Sequence, residues 1–163
     1  MLFNLSKKNG GFTLIEAIVY IAMSSILLLV ITRLGFDFFS SKQKILAQEE
    51  ILENANIIIN KMTQSVRDAQ GIILPQTVSQ ELSLQMKETI VNPTRFYATG
   101  ESFYIAQGIG SGIKLNSGNV GVSSLQFEKI VNNSIGIGIR INLTLFSLRN
   151  DIETSFSPTV SLR

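Results

Sequence analysis

Apolar residues are concentrated in one run near the start of the chain. From Phe12 to Thr32, 16 of 21 residues are apolar, and a helix of that length spans about 30 Å, the thickness of the hydrocarbon core of a bilayer. The run exceeds the apolar region of a secretory signal peptide, which is about 7 to 15 residues long, and no small-residue cleavage site follows it. We therefore expect a helix that stays attached to the chain and crosses a membrane at some stage.

The helical pattern continues beyond the apolar run. Residues 41–70 contain no proline and no glycine, and Gly71 and Pro75 predict that the helix ends near Gln70. Two series of apolar residues recur at every seventh position and form one stripe: Leu52, Ile59 and Val66, and Ala55, Met62 and Ala69. We expect the chain's own globular domain to cover this stripe. A coiled coil is the alternative, but the stripe covers few heptads.

From Ile72 onward the apolar period becomes that of a β-strand. The clearest run alternates apolar residues with glycine or polar residues, at Ile135, Ile137, Ile139, Ile141, Leu143 and Leu145. Shorter signals predict strands at 81–86, 95–97, 102–106, 125–127 and 152–162. In the last of these, Pro158 requires an edge position or a bulge, and Asn150-Asp151 is the turn before it.

These patterns predict an α+β fold in which a long N-terminal helix packs against a C-terminal antiparallel β-sheet. Residues 12–32 form the transmembrane half of the helix and residues 33–70 its amphipathic continuation. Residues 71–163 form the β-sheet head domain. The sheet lies across the second half of the helix, where it buries both the helical stripe and its own alternating face.

Composition narrows the range of chemistry. The 163 residues include no cysteine and no histidine, which excludes disulfides, thiolate ligands and the commonest general base. The three aspartates are far apart in sequence, and the glycine-rich segment 107–114 lacks the Gly-Lys-Ser/Thr ending of a phosphate-binding loop. A net charge of only +2 argues against nucleic acid as a partner. We expect no metal, no cofactor and no catalytic residue, so the chain is not expected to be an enzyme.

A short motif overlaps the start of the apolar run. It reads Gly10-Gly11-Phe12-Thr13-Leu14-Ile15-Glu16, and the leader before it carries Lys7 and Lys8 as its only charges. This string closely resembles the processing site of type IV prepilins and of the pseudopilins of type II secretion and competence systems. The resemblance implies that residues 1–11 are a leader peptide that a prepilin peptidase removes after Gly11, that Phe12 becomes the N-methylated N-terminus, and that Glu16 acts in assembly.

Elementary electrostatics agrees with this implication. An ionised carboxylate at the middle of a bilayer costs about 2.5 to 3.5 kcal/mol on insertion scales, although Glu16, near the end of the run, could also reach the interface at lower cost. Cleavage creates a positive α-amino group four residues before Glu16. When helices bundle, Glu16 of one subunit can neutralise the N-terminus of a neighbour, and an unpaired buried charge disfavours any other register. Gly11 lets the backbone extend into a protease cleft because it has no side chain.

The subtype follows from what the chain lacks. No proline precedes Pro75 and no cysteine is present, whereas many major pilins have a helix proline and a C-terminal disulfide. The chain therefore looks like a minor pilin or minor pseudopilin of the W/J type. The resemblance implies the bacterial inner membrane as the first location, with the N-terminus inside, and then an extracytoplasmic or cell-surface filament. Its implied partners are prepilin peptidase, other pilin or pseudopilin subunits and the inner-membrane assembly platform.

Three alternatives stay open. The first is a filament-tip adhesin or DNA-uptake subunit that binds through a basic and aromatic patch, although core packing explains such aromatics more often. Its residues are Arg95, Phe96, Tyr97, Phe103 and Tyr104. The second is a major pilin, and the third is a membrane-anchored enzyme.

Removal of the leader leaves 12 basic and 12 acidic side chains, so the net positive charge belongs to the leader.

Overall fold

The helical and strand halves of the chain lie where the apolar periods predict them. The computed structural model describes residues 12–132 and 136–162. Among these residues one helix, α1 (Leu14–Asp68), is followed by strands only, apart from a 3-10 turn at Thr89–Val91. The α+β class is thereby confirmed. The chain divides into two compact units, Met1–Gln43 and Lys44–Arg163, with the boundary inside α1.

The described residues of the second unit form ten strands in two antiparallel sheets. The strands are β1 (Ala69–Leu74), β2 (Val78–Ser79), β3 (Leu82–Met86), β4 (Thr94–Thr99), β5 (Ser102–Gln107), β6 (Ile113–Lys114), β7 (Val120–Asn132), β8 (Gly136–Ser147), β9 (Glu153–Phe156) and β10 (Thr159–Ser161). The first sheet has the order β1-β3-β4-β5-β6, and the second has the order β10-β8-β7-β2 with β9 also paired to β8. The sequence predicted one sheet. Alternation assigns a side chain to a face but does not choose the partner strand, so it could not show that the pairing divides in two.

One apolar core joins the last turns of α1 to both sheets. The helix contributes Ile51, Ala55, Ile58, Met62 and Val66, which are at most 1% exposed. The sheets contribute fully or almost fully buried side chains from several strands: Leu82, Leu84, Phe96, Phe103, Ile105, Phe127, Ile139, Ile141, Leu143 and Leu145. A core this continuous accounts for the compactness of the second unit.

The buried face of α1 is rotated relative to the predicted stripe. Leu52 is 41% exposed and Ile59 is only partly buried, whereas Ile51 and Ile58 have no exposed surface. The row Ala55, Met62 and Ala69 is buried as predicted, and so is Val66, but Ile51 and Ile58 are buried in place of Leu52 and Ile59. Neighbouring isoleucines and leucines satisfy the repeat equally well in sequence, so only contact with the sheets selects between them.

The helix ends slightly before the predicted position. It stops at Asp68, and Gly71 lies inside β1 opposite Gln85 of β3 rather than capping the helix. Pro75 directly follows β1. Its lack of a backbone N–H costs nothing there, because the hydrogen-bond ladder between β1 and β3 has already ended. Because β1 begins at Ala69 and pairs with β3, the helix ends before the position at which Gly71 was expected to end it.

The long hairpin of β7 and β8 bears out the strongest strand signal. The two strands pair in continuous register from Val120↔Ser147 to Asn132↔Gly136, with one irregularity near Ser124. Ile139 to Leu145 alternate into the core, while Ile137 is 40% exposed. Ile135, the first residue of the predicted run, lies outside the described residues. Pro158 separates β9 from β10, and the chain turns at Asn150-Asp151 as predicted.

A polar cluster ties α1 to the loop between β6 and β7. The Ser117 N–H donates to Asn54 Oδ1 at 2.7 Å, and Asn54 Nδ2 donates to the Glu50 carbonyl at 2.8 Å. Glu50 Oε1 accepts from Ser117 Oγ at 3.1 Å and from Asn119 Nδ2 at 3.0 Å. Asn54 is 5% exposed, and these bonds satisfy polar groups that would otherwise be buried without partners.

Candidate functional site

The N-terminus of α1 is built as a capped helix start. The Glu16 N–H donates to Thr13 Oγ1 at 3.4 Å, and the Ala17 N–H donates to the Thr13 carbonyl at 3.1 Å. Thr13 is therefore the N-cap, which provides an acceptor for an N–H that has no partner within the helix. Glu16 occupies the third helical position, where a negative side chain is stabilised by the positive end of the helix dipole.

Thr13 is a site residue that the sequence interpretation missed. Its position relative to Glu16 matches the capping-box pattern Thr-x-x-Glu, which is readable in sequence. In the sequence, Glu16 stands out because a carboxylate in an apolar run is costly, and the resemblance gives it a role in assembly alone. The structure adds a local role for the spacing of Thr13 and Glu16, which is to cap the helix. The helix therefore begins at a defined position just after Phe12.

Phe12 lies at the exposed start of an apolar surface. The ring is 75% exposed and makes an edge contact with the Tyr20 ring at a centroid distance of 6.3 Å. Of the other predicted site residues, Glu16 is described, whereas Gly11, Lys7 and Lys8 lie outside the described residues. The structure thus gives the geometry of the segment that follows the predicted cleavage position.

The first part of α1 is long and apolar enough to cross a membrane, judged by its length and composition. Its large apolar side chains are exposed, with Leu14 at 81%, Leu29 at 71% and Phe36 at 70%. Two hydroxyls in the run are satisfied within the helix, because Ser25 Oγ donates to the Ile21 carbonyl and Thr32 Oγ1 to the Leu28 carbonyl. A helix with this surface requires lipid or other apolar helices around it.

The predicted aromatic patch of the head domain is split between two faces of the first sheet. Phe96 and Phe103 are fully buried and belong to the core. Tyr97 and Tyr104 are cross-strand neighbours on the other face, half-buried, with their rings stacked at 5.6 Å. Arg95 and Lys114 are exposed, and Lys114 lies opposite Tyr104 in the register of β5 and β6. The outer face keeps the two tyrosines and two basic residues.

The glycine-rich segment has a packing role. Gly108 has φ +57°, and an added Cβ there would collide with the Ile90 carbonyl, while a Cβ at Gly112 would collide with the Tyr97 hydroxyl. The Gly108 N–H also donates to the Pro93 carbonyl at 3.0 Å. The segment contains a tight turn against the neighbouring loop, and its glycines permit close backbone approach.

An open cleft of about 440 Å³ lies in the head domain. Its polar lining is neutral and comes from Gln80, Ser123, Ser124, Gln126 and Asn142. Ser124 Oγ donates to Thr144 Oγ1 at 3.1 Å, so part of this polarity is already satisfied within the sheet. The cleft contains no charged side chain that would position a nucleophile or a metal.

Comparison with known proteins concerns the N-terminal segment. Residues 6–32 match the family model described as the prokaryotic N-terminal methylation motif. No curated protein and no solved structure matches the chain. The matched residues include the Gly11–Phe12 junction, Glu16 and the apolar half of α1. The motif implies processing by prepilin peptidase and assembly with other pilins, and together with the exposed apolar helix it supports a membrane-anchored, type IV pilin-like prepilin.

Proposed function

We propose that this chain is a structural subunit of a type IV pilus-like filament. Prepilin peptidase removes residues 1–11 by cutting after Gly11, and the new N-terminus at Phe12 is methylated. The mature subunit first resides in the bacterial inner membrane as a single-pass protein. The inner-membrane assembly platform then transfers it into an extracytoplasmic filament. Its head domain, residues 71–163, remains outside the helical core of the filament.

One observation carries this proposal. The methylation motif contains the start of a capped helix whose large apolar side chains are exposed over the whole membrane-length run. A helix of this kind is stable in lipid, and it is equally stable against the apolar helices of other subunits, because both surroundings exclude water. The same surface therefore serves the subunit before and after assembly.

Glu16 supplies the specificity of assembly in this proposal. After cleavage its carboxylate pairs with the α-amino group of a neighbouring Phe12. A buried carboxylate without such a partner strongly destabilises the state that contains it, so wrong registers are disfavoured. Thr13 fixes the start of the helix and hence the position of Glu16 relative to the new N-terminus.

The test is mass spectrometry of the protein isolated from its native host. We expect the chain in filaments to begin at a methylated Phe12. Filaments composed of chains that retain residues 1–11 would contradict the proposal. A strain without prepilin peptidase provides the control, because there the full-length chain is expected to accumulate in the inner membrane.

Within this function we propose a minor pilin or minor pseudopilin of the W/J type. The uninterrupted helix without proline and the cysteine-free head domain support this subtype over a major pilin. Stoichiometry in purified filaments decides between them, since a minor subunit is expected at a small fraction of the major one. A chain that forms most of the filament mass would contradict the minor assignment.

A second candidate, a tip-binding subunit, is supported by the outer face of the first sheet. Tyr97, Tyr104, Arg95 and Lys114 lie together there, and stacked aromatics beside basic groups are typical of single-stranded nucleic acid binding. Affinity for DNA that falls steeply with salt would favour this candidate. We propose no catalytic role, and enzymatic activity in a fragment that lacks residues 1–40 would contradict that.

A further inference from the structure

A short stretch of β7 has a strand partner on one side only. β8 pairs with β7 along its whole length, from Val120 to Asn132, whereas β2 pairs with the other side at Phe127 and Glu128. Backbone N–H and C=O groups on an uncovered strand edge can pair with another extended chain. The part of β7 that precedes Phe127 therefore has an edge to which a strand can be added.

The hydrogen bonds around β7 show which backbone groups face this edge. The Lys129 N–H donates to the Thr77 carbonyl, on the side away from β8, at 2.9 Å. In an antiparallel ladder, residues two positions apart direct their N–H and C=O groups to the same side. Leu125, four positions before Lys129, therefore directs both its N–H and its C=O to the open edge.

The chain itself occupies the edge on both sides of Leu125. On one side, the Val122 N–H donates to the Glu101 carbonyl at 3.0 Å. On the other side, Ser79 of β2 pairs with Phe127. Val122 and Phe127 are five residues apart, about 16 Å along a strand, so about three extended residues fit between the two occupied positions.

β2 turns away just before it would reach Leu125. Continuation of its antiparallel register would place Glu81 opposite Leu125. Instead, the Glu81 N–H donates to Ser79 Oγ at 3.1 Å, and the chain enters β3 at Leu82, which pairs with Phe96 in the first sheet. In the described part of the chain, no strand lies opposite Leu125 on this edge.

The open cleft of about 440 Å³ lies along the same edge. Residues 122–126 of β7 line it, together with Gln80 just after β2 and with Ala98 and Gly100 in the hairpin of β4 and β5. An added Cβ at Gly100 would meet no atom within 4 Å. There is therefore free space between this hairpin and the edge of β7.

We propose that this cleft binds a short extended segment of another protein, the guest segment, as an additional antiparallel strand on β7. One residue of the guest segment donates to the Leu125 carbonyl and accepts from the Leu125 N–H, as in any hydrogen-bonded antiparallel pair. β2 already pairs antiparallel with the same edge, so the guest segment continues an existing ladder. The contact does not depend on cleavage after Gly11.

The two faces of β7 determine which side chains the guest segment carries. Leu125 is 7% exposed and belongs to the core, so the guest residue opposite it points inward, towards Ala98. The residues on either side of that guest residue point outward, where Gln126 and Asn142 lie opposite each other. The residues that line the cleft in the described part of the chain are uncharged, so a charged guest side chain would lose hydration without gaining a partner. The guest segment is therefore a small apolar residue between two uncharged polar residues, and these side chains supply the specificity.

Amide hydrogen exchange tests the site in the full-length chain, labelled with nitrogen-15 and kept in detergent micelles. The probe is the blocked pentapeptide acetyl-Ser-Thr-Val-Thr-Ser-amide, which has the expected alternation. In the chain alone, we expect the Leu125 amide to exchange about tenfold faster than those of Val122 and Lys129, whose N–H groups are bonded. At a probe concentration about ten times its Kd, exchange at Leu125 should slow about tenfold, because only the unbound chain exchanges.

A probe with an N-methyl group on its central valine is the first control. The methyl group removes the donor to the Leu125 carbonyl and leaves the side chains unchanged, so this probe should not protect Leu125. Equal effects of the two probes, or no protection by either, would overturn strand addition. Protection of Leu125 that rises with the concentration of the chain alone would show that a second copy fills the edge, and would overturn the assignment to another protein.

Two substitutions in β4 locate the bound segment. Ala98 lines the cleft, whereas Thr99 is exposed outside it. Ala98→Leu occupies the space of the central guest side chain and should weaken probe binding about tenfold, while Thr99→Leu should bind the probe as the natural chain does. Equal binding by both folded variants would overturn the site, and if Ala98→Leu fails to fold, the N-methylated probe decides. None of these measurements involves the N-terminus, so their failure would leave the proposed function standing.

Discussion

At the scale of single residues, the most informative side chains are polar ones that the apolar pattern does not highlight. Thr13 fixes where α1 begins, and Asn54 fixes how its far end meets the loop at Ser117. Gly108 allows two loops to approach each other because it has no Cβ. Sequence predicts roles for Glu16 and Gly11 through a motif, but Ser117, the loop partner of Asn54, is 63 positions away and becomes a neighbour only on folding.

Loss of Asn54 is expected to destabilise the head domain. Asn54→Ala leaves the partly buried Ser117 N–H without its acceptor, which costs about 1 kcal/mol. Asn56→Ala, an exposed asparagine on the same helix, should change stability by less than about 0.5 kcal/mol. Urea unfolding of residues 44–163, the unit that contains the whole core, measures both by circular dichroism. Equal effects would contradict the role assigned to Asn54.

Alanine substitutions at two glycines distinguish the effect of backbone strain from that of steric collision. Gly100 and Gly108 have nearly equal φ values, +59° and +57°, but only Gly108 has a backbone carbonyl where Cβ would stand. We expect Gly100→Ala to cost about 1 kcal/mol and Gly108→Ala about 3 kcal/mol, since alanine meets the left-handed penalty at both sites and a clash at one. Urea unfolding of the same fragment gives the two values. Similar losses of stability in both variants would show that the turn at Gly108 shifts to make room for the added methyl group.

At the scale of elements, α1 is one helix with two kinds of surface. In the described residues of the first unit, the large apolar side chains of α1 are exposed. In the second unit, the same helix buries Ile51, Ile58 and Met62. The sequence predicted this division from the change between a continuous apolar run and a stripe. It did not predict the phase of the stripe, because Ile57, Ile58 and Ile59 are chemically equal in sequence.

Adjacent isoleucines test that phase. Ile58 is fully buried, whereas Ile57 is 49% exposed. Ile58→Ala should lower the free energy of unfolding by about 2 to 5 kcal/mol because it leaves a cavity in the core. Ile57→Ala should change it by less than about 0.5 kcal/mol. A larger loss at Ile57 than at Ile58 would mean that the helix meets the sheets through another face.

At the scale of the whole molecule, the chain combines two parts with different surfaces. The methylation motif, residues 6–32, belongs to the first unit together with the exposed apolar part of α1, and the sheets with their core belong to residues 44–163. Assembly chemistry and head-domain stability therefore rest on separate residues. Variants of the first segment are expected to change processing or filament formation without unfolding the second.

Glu16 and Gly11 should affect different steps. Glu16→Ala is expected to leave leader cleavage mostly intact and to reduce assembly by about tenfold or more, because the neighbour's α-amino group loses its buried partner. Gly11→Leu should block cleavage, since a side chain obstructs the extended backbone in the protease cleft. Immunoblots of membrane and filament fractions measure both steps, and Glu49→Ala, an exposed acid of the same helix, is the control. Glu16→Ala chains that enter filaments normally would contradict the pairing.

The sequence by itself determined the α+β class, the membrane-length helix, the motif around Phe12 and the faces of the long strands. These features depend on neighbours within a few positions, where period and residue type are sufficient information. Tertiary structure alone decided the division into two sheets, the residues that complete the buried stripe of α1, the end of the helix at Asp68 and the burial of the face that holds Phe96 and Phe103 rather than the face that holds Tyr97 and Tyr104. Each of these depends on which distant strand supplies the partner, and that choice is made by packing against the whole core.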